Sequence, residues 1–312
     1  MIRRLVSKVL DTPFVAPLFS AARIPLYVWA SLISQVLIVV TGGVVRLTGS
    51  GLGCPTWPKC TDGSLVNTPE MGIHGIIEFT NRLLTFVLAV VAILTFVTIV
   101  RLGKQVRMGL FAPALILGLG IPAQAVLGGF TVWSKLNPWF VGAHFVLSAY
   151  MIAIASLLVW RAIKSEHTPV SSGIYSMANA IAAVGAIAVI IGVLVTGAGP
   201  HSGDAKSVRN GLDLEIWQHF HSYPAYVLLT LVIMQLGLLI RRDGKFLGSL
   251  QSKVLAGLLA TTVFQAIVGV AQARLGVPPL LVGIHMLGAS ALCSLLTFQW
   301  LVVRGKPASK VN

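Results

Sequence analysis

Residues Gln124–Ala149 read QAVLGGFTVWSKLNPWFVGAHFVLSA, and residues Gln265–Ser290 read QAIVGVAQARLGVPPLLVGIHMLGAS. Slid by 141 residues, the two stretches align without a gap. Seven of the 26 positions are identical: Gln124/Gln265, Ala125/Ala266, Gly128/Gly269, Pro138/Pro279, Val141/Val282, Gly142/Gly283 and His144/His285. Gln, Pro and His are uncommon inside apolar helices, so these coincidences weigh more than matches of Leu or Val would.

Outward from this core the echo weakens but continues. Val40-Thr41-Gly42-Gly43 resembles Val195-Thr196-Gly197-Ala198, and a slide of 140 residues pairs Glu78-Phe79-Thr80-Asn81-Arg82 with Gln218-His219-Phe220-His221-Ser222. Apolar runs of about 20 residues, long enough to cross a bilayer, start near Leu26, Gly75, Gly109, Trp139, Ile174, Ile216, Val254 and Leu280. The expectation is an all-α membrane protein of eight transmembrane helices, built as two repeated four-helix bundles over residues 1–165 and 166–312. The segment from Lys164 to Gly173 is the natural boundary. An even number of spans per half gives both halves the same orientation, as in repeats related by an axis along the membrane normal.

Composition agrees. Of 312 residues, 56% are hydrophobic and 10% charged, against about 25% charged in ordinary soluble domains. The net charge of +14 is distributed by loop. With the N-terminus taken as cytoplasmic, sixteen Lys and Arg fall in inside segments and six in outside segments, while Arg82 lies within a span. That is the positive-inside pattern with both termini inside. It argues against a nucleic-acid surface, which would gather its cations into one stripe. The first 23 residues are basic, and no cleavage-type motif follows the first apolar run, which reads as a retained helix and not a signal peptide. No phosphate loop, dinucleotide fingerprint or zinc-protease motif is present.

The chemistry resides in polar residues at matched depths. His144 enters about five residues along its helix from the outer side, roughly 8 Å deep at 1.5 Å per residue, and His285 occupies the matching place. His221 sits similarly shallow. Two histidines facing each other across helices, with Gly283 and Gly288 nearby to admit a flat ligand, suit bis-histidyl ligation of haem iron. His221 and His285 form this pair. His219 points to another face, and His74, His167 and His201 fall at helix ends or in loops, where solvation is expected.

The first half has His144, with Asn81 where the partner histidine would be, and adds Glu78 and Arg82. Glu78 and Arg82 read either as a structural i,i+4 pair or as an acid/base group and a propionate-binding cation in a substrate pocket. The latter is favoured, because Gln218 and Ser222 at the equivalent places carry no charge. Cys54 and Cys60, in an outer loop, can serve as a structural clip or as a redox-active dithiol, and Cys293 as a packing residue.

Thr41-Gly42-Gly43, Arg46-Leu47-Thr48-Gly49-Ser50-Gly51-Leu52, the Cys54/Cys60 loop with Trp57-Pro58, Glu78-x-x-Asn81-Arg82 and the three histidines together resemble the haem A synthase family. The resemblance implies an oxidoreductase of the bacterial plasma membrane that converts a methyl group of haem O to a formyl group, giving haem A for cytochrome oxidase. It also implies a resident haem b on His221 and His285, with substrate haem O near Glu78, Asn81, Arg82 and His144 in the N-terminal half. The partners it implies are a haem O synthase (a farnesyltransferase) and cytochrome oxidase assembly factors. Two departures stand out: the family's motif has His where this chain has Asn81, and the second cysteine pair of some members is missing from Ala198 to Glu215. The alternative readings are a non-catalytic dihaem b-type electron-transfer cytochrome and a transporter with parallel repeats.

Overall fold

The computed structural model describes residues 12–102, 104–163 and 170–304; the expected boundary at 165/166 and His167 lie outside them. Eight long helices follow one another: α1 (Ile24–Leu47), α2 (Gly72–Arg101), α3 (Lys104–Trp133), α4 (Pro138–Ala162), α5 (Ser172–Ala198), α6 (Leu214–Asp243), α7 (Leu250–Arg274) and α8 (Pro279–Val302). No strand occurs among the described residues. All eight are long and apolar enough to span a membrane.

The helices start one to five residues before the apolar runs do. The reason is local. The first turn of a helix carries backbone N–H groups with no internal acceptor, so four of these helices begin at a polar cap and not at the first apolar residue. Asn137, Ser171, Asp213 and Ser249 each accept a backbone N–H at the starts of α4, α5, α6 and α7. Ser249 and Ser252 bond reciprocally as a capping box.

Packing closes two rings. In the first, α1 touches α2, α2 touches α3, α3 touches α4, and α4 returns to α1; α5, α6, α7 and α8 close the second in the same order. The rings meet through α4–α5, α4–α8 and α1–α8. Buried apolar side chains form two clusters, one from Ile24 to Val159 and one from Ile174 to Val303. Cys293 on α8 packs against the first cluster, as its packing role anticipates. Where helices cross closely, one partner is glycine: a Cβ on Gly142 of α4 would lie 2.9 Å from Val193 of α5. With no hydrophobic force between helices in lipid, such small residues permit the dispersion contacts that hold them together. Large apolar side chains such as Phe86 and Ile267 face outward, as lipid-facing surfaces require.

Candidate haem-binding and catalytic site

His221 on α6 and His285 on α8 face one another with ring centroids 6.3 Å apart and planes inclined by 74°. Two imidazoles that each bind one iron through a nitrogen at about 2.0 Å have centroids about 6.3 Å apart. The spacing therefore fits a single shared iron. The Nδ1 atoms of both rings are buried without a hydrogen-bond partner, an expensive condition for a polar atom. Gly192 of α5 supports the His221 ring: a Cβ there would lie 2.9 Å from Cε1.

Around His285 the support comes from α7. Gln265 Nε2 donates to the His285 carbonyl at 3.0 Å, and Gly269 leaves the imidazole room, with a Cβ there falling 3.6 Å from Cε1. The first half repeats this construction at the aligned positions. Gln124 Nε2 donates to the His144 carbonyl at 3.3 Å and to Ser148 Oγ at 2.7 Å, while a Cβ on Gly128 would fall 3.4 Å from His144 Cε1. His144 Nδ1 is again buried without a partner, and so is Asn81 Oδ1. One half thus presents two imidazoles, and the other an imidazole and an amide.

Glu78 and Arg82 do pair, Nη2 to Oε1 at 2.6 Å, but the pair is part of something larger. Glu78 Oε2 accepts the Cys54 N–H at 2.7 Å. Arg82 donates to the carbonyls of Cys54, Thr56 and Lys59 at 3.1, 3.1 and 3.2 Å. Helix α2 therefore grips the cysteine loop from beneath. Cys54 and Cys60 form a disulfide and are fully buried. Trp57 from the same loop lies against Gly129 and meets Trp133 edge-on at 5.3 Å, so the loop also covers the end of α3 next to Gly128 and His144. The loop's backbone passes so near α2 that a Cβ on Gly53 would fall 2.2 Å from the His74 carbonyl oxygen.

Two residues depart from the expectation of simple solvation. His74 is exposed but its Nδ1 lies 2.9 Å from Ser50 Oγ, and His201 Nε2 lies 2.8 Å from the Val277 carbonyl. His219 is exposed, away from His221. The supporting glycines and glutamines were visible in the repeat as identities without a role. Gly192 had no such signal.

Two four-helix membrane bundles, each carrying a histidine with a buried Nδ1 on the same glutamine and glycine support, define a helical membrane protein with a repeated imidazole site. The chain belongs to the COX15-CtaA family, described as cytochrome oxidase assembly protein, whose model matches residues 25–297. It is 25% identical over 308 residues to the heme A synthase of Listeria welshimeri, covering 92% of this chain and 98% of that one. Against the heme A synthase of Geobacillus kaustophilus it is 26% identical over 168 residues, and against that of Lysinibacillus sphaericus 34% over 137. In the Geobacillus comparison the match spans about half of the relative's length, 52%. Eight apolar helices and these bacterial relatives make it a multi-pass bacterial membrane protein.

Proposed function

We propose that this protein is a haem A synthase: an oxidoreductase that converts the methyl group of haem O to a formyl group. The observation that carries the reading is the 6.3 Å spacing of the His221 and His285 rings, each with a buried, unpartnered Nδ1. In this reading residues 166–312 hold a resident haem b on those two histidines, and residues 1–165 receive haem O beside His144. A haem b held by His221 and His285 would supply one-electron transfer. The amide of Asn81 is a poor iron ligand, so His144 alone holds the substrate iron, which suits a macrocycle that must leave after reaction.

The chain's own groups divide the remaining work. Glu78 Oε2, held by the Cys54 N–H, is the carboxylate that relays protons released during the oxidation or stabilises a cationic intermediate at the methyl carbon. Arg82 fixes the Glu78 side chain and ties it to the loop. The disulfide-closed loop, with Trp57 on Gly129, shields this end of the first bundle from water. The excess of Lys and Arg at the opposite end supports an arrangement with the loop outside and both termini inside. A haem O synthase in the same bilayer supplies the substrate, and cytochrome oxidase assembly factors receive the product.

Extraction of pigment from the purified protein, with haems B, O and A separated, tests the reading. Haem B should be present with haem O or A. His221→Ala and His285→Ala should each abolish the low-spin b-type absorption while the protein still inserts. An unchanged spectrum in either variant overturns the pairing, and haem B alone in a protein that never converts haem O favours a cytochrome.

A further inference from the structure

Arg46 ends α1 in the first bundle, yet its partners lie in the second. Its Nε donates to the His201 carbonyl and its Nη2 to the Thr196 carbonyl at 2.8 Å. Those bonds use one edge of the guanidinium and leave Nη1 for a further acceptor. Among the described residues the ion pairs are Arg82–Glu78 and Arg242–Asp243, so no carboxylate of the chain pairs with Arg46 there. Arg209 lies near enough for the two like charges to act on one another, and it too bonds only carbonyls, those of Pro200 and Ser207. The half-buried Arg46 guanidinium, held by neutral oxygens with the exposed Arg209 beside it, forms a site in want of an anion.

Two helices fix where that site lies. On α5, Thr196 is one turn beyond Gly192, the residue that supports the His221 ring, and Thr196 Oγ1 donates back to the Gly192 carbonyl at 2.7 Å. On α1, Gly43 is three residues before Arg46 and packs on Met286, the neighbour of His285; a Cβ there would lie 3.0 Å from its Cε. At 1.5 Å per residue, these steps are about 6 Å along α5 and about 4.5 Å along α1. Both place the guanidinium about one helical turn beyond the histidine pair, toward the end that bears the cysteine loop. A haem carries its two propionates on one edge of the macrocycle, within reach of such a position.

We propose that Arg46 anchors a propionate of the haem held between His221 and His285, so that the first bundle completes the prosthetic-group site of the second. This inference rests on the reading of those histidines as haem ligands. Arg46 is a positioning residue: its planar guanidinium holds two carbonyls on one edge and still has Nη1 to donate to a carboxylate, a spread of donors that the lysine ammonium does not match. A purely structural role, a cation at the C-terminal end of α5, would give it the Thr196 bond and nothing toward haem.

The test separates the two roles by removing the propionate charges as well as the arginine. The full-length protein is loaded in detergent with haem b or with its dimethyl ester, and loss of the haem to apomyoglobin is timed. In the wild-type protein esterification should speed loss about tenfold, the loss of one charge-assisted bond. In Arg46→Gln it should change the rate less than about twofold, because the partner is already gone. Equal ester effects in the two proteins overturn the assignment. Should Arg46→Gln fail to accumulate, Arg46→Lys should give an intermediate ester effect, and one equal to wild type overturns it as well. His221→Ala serves as the control for the underlying reading: a low-spin spectrum surviving in that variant overturns the haem site itself, whereas its loss beside equal ester effects removes Arg46 alone.

Discussion

Replacing Gly192 by alanine would set a methyl carbon 2.9 Å from His221 Cε1, 3.4 Å from Nδ1 and 3.5 Å from Nε2. Non-bonded carbons settle at about 3.5–4.0 Å, so the imidazole edge must retreat by about 0.6 Å or α5 must move away. Neither is free. The ring faces His285 at 6.3 Å, already the span of one iron, and moving it tilts or offsets a ligand whose direction sets the bond. Overpacking of this size costs about 1–3 kcal/mol, or about 5- to 150-fold in ligand retention. The assay is visible and electron paramagnetic resonance spectroscopy of the purified protein, read as the low-spin haem fraction. Gly269→Ala, with its Cβ 3.6 Å from His285 Cε1, should lose little, and Gly42→Ala, with nothing within 4 Å, should lose none. Gly192→Ala with a full low-spin signal, or Gly42→Ala as damaging as Gly192→Ala, would refute the placement of the ligand ring.

Further outcomes follow from the first bundle. Glu78→Gln keeps the shape but presents an amide where Oε2 takes the Cys54 N–H; it should retain low-spin haem and lose conversion by roughly 10²-fold or more, and near-wild-type conversion would reduce Glu78 to a clamp for the loop. Asn81→Ala should cost less conversion than His144→Ala, while Asn81→His should add a second low-spin species when haem O is supplied and slow product release. Loss in Asn81→Ala equal to that in His144→Ala would give Asn81 a direct part at the substrate iron. For orientation, Leu65→Cys in the cysteine loop and Phe246→Cys between α6 and α7 are exposed at 70% and 62% of the wild-type side chains; an impermeant maleimide should label the first in intact cells and the second only after lysis, and the reverse order would invert the topology.

Much of the fold could be read from the chain because membrane spans are written in consecutive apolar residues. Their starts could not, since Ser171, Asp213 and Ser249 cap turns that a hydropathy reading assigns to loops. The histidines were legible for the opposite reason: a costly residue in an apolar helix, repeated at a fixed offset, needs an explanation. Glu78 and Arg82 were legible as an i,i+4 pair, but their grip on the cysteine loop was not, because its other half is the Cys54 N–H and three carbonyl oxygens. Arg46 was visible as part of a motif, but its contacts were not, for the same cause. Its partners are the carbonyls of Thr196 and His201, and backbone acceptors leave no mark in a side-chain pattern.

The most direct test is conversion of haem O. The full-length protein is produced in a bacterium that makes haem O and has no haem A synthase of its own, and the membrane haems are extracted and separated. The wild-type chain should yield haem A. His144→Ala, which leaves the His221–His285 pair intact, should keep the b-type spectrum and yield none. Membranes that hold the wild-type protein with its b-type haem and unchanged haem O, but no haem A, would contradict the assignment.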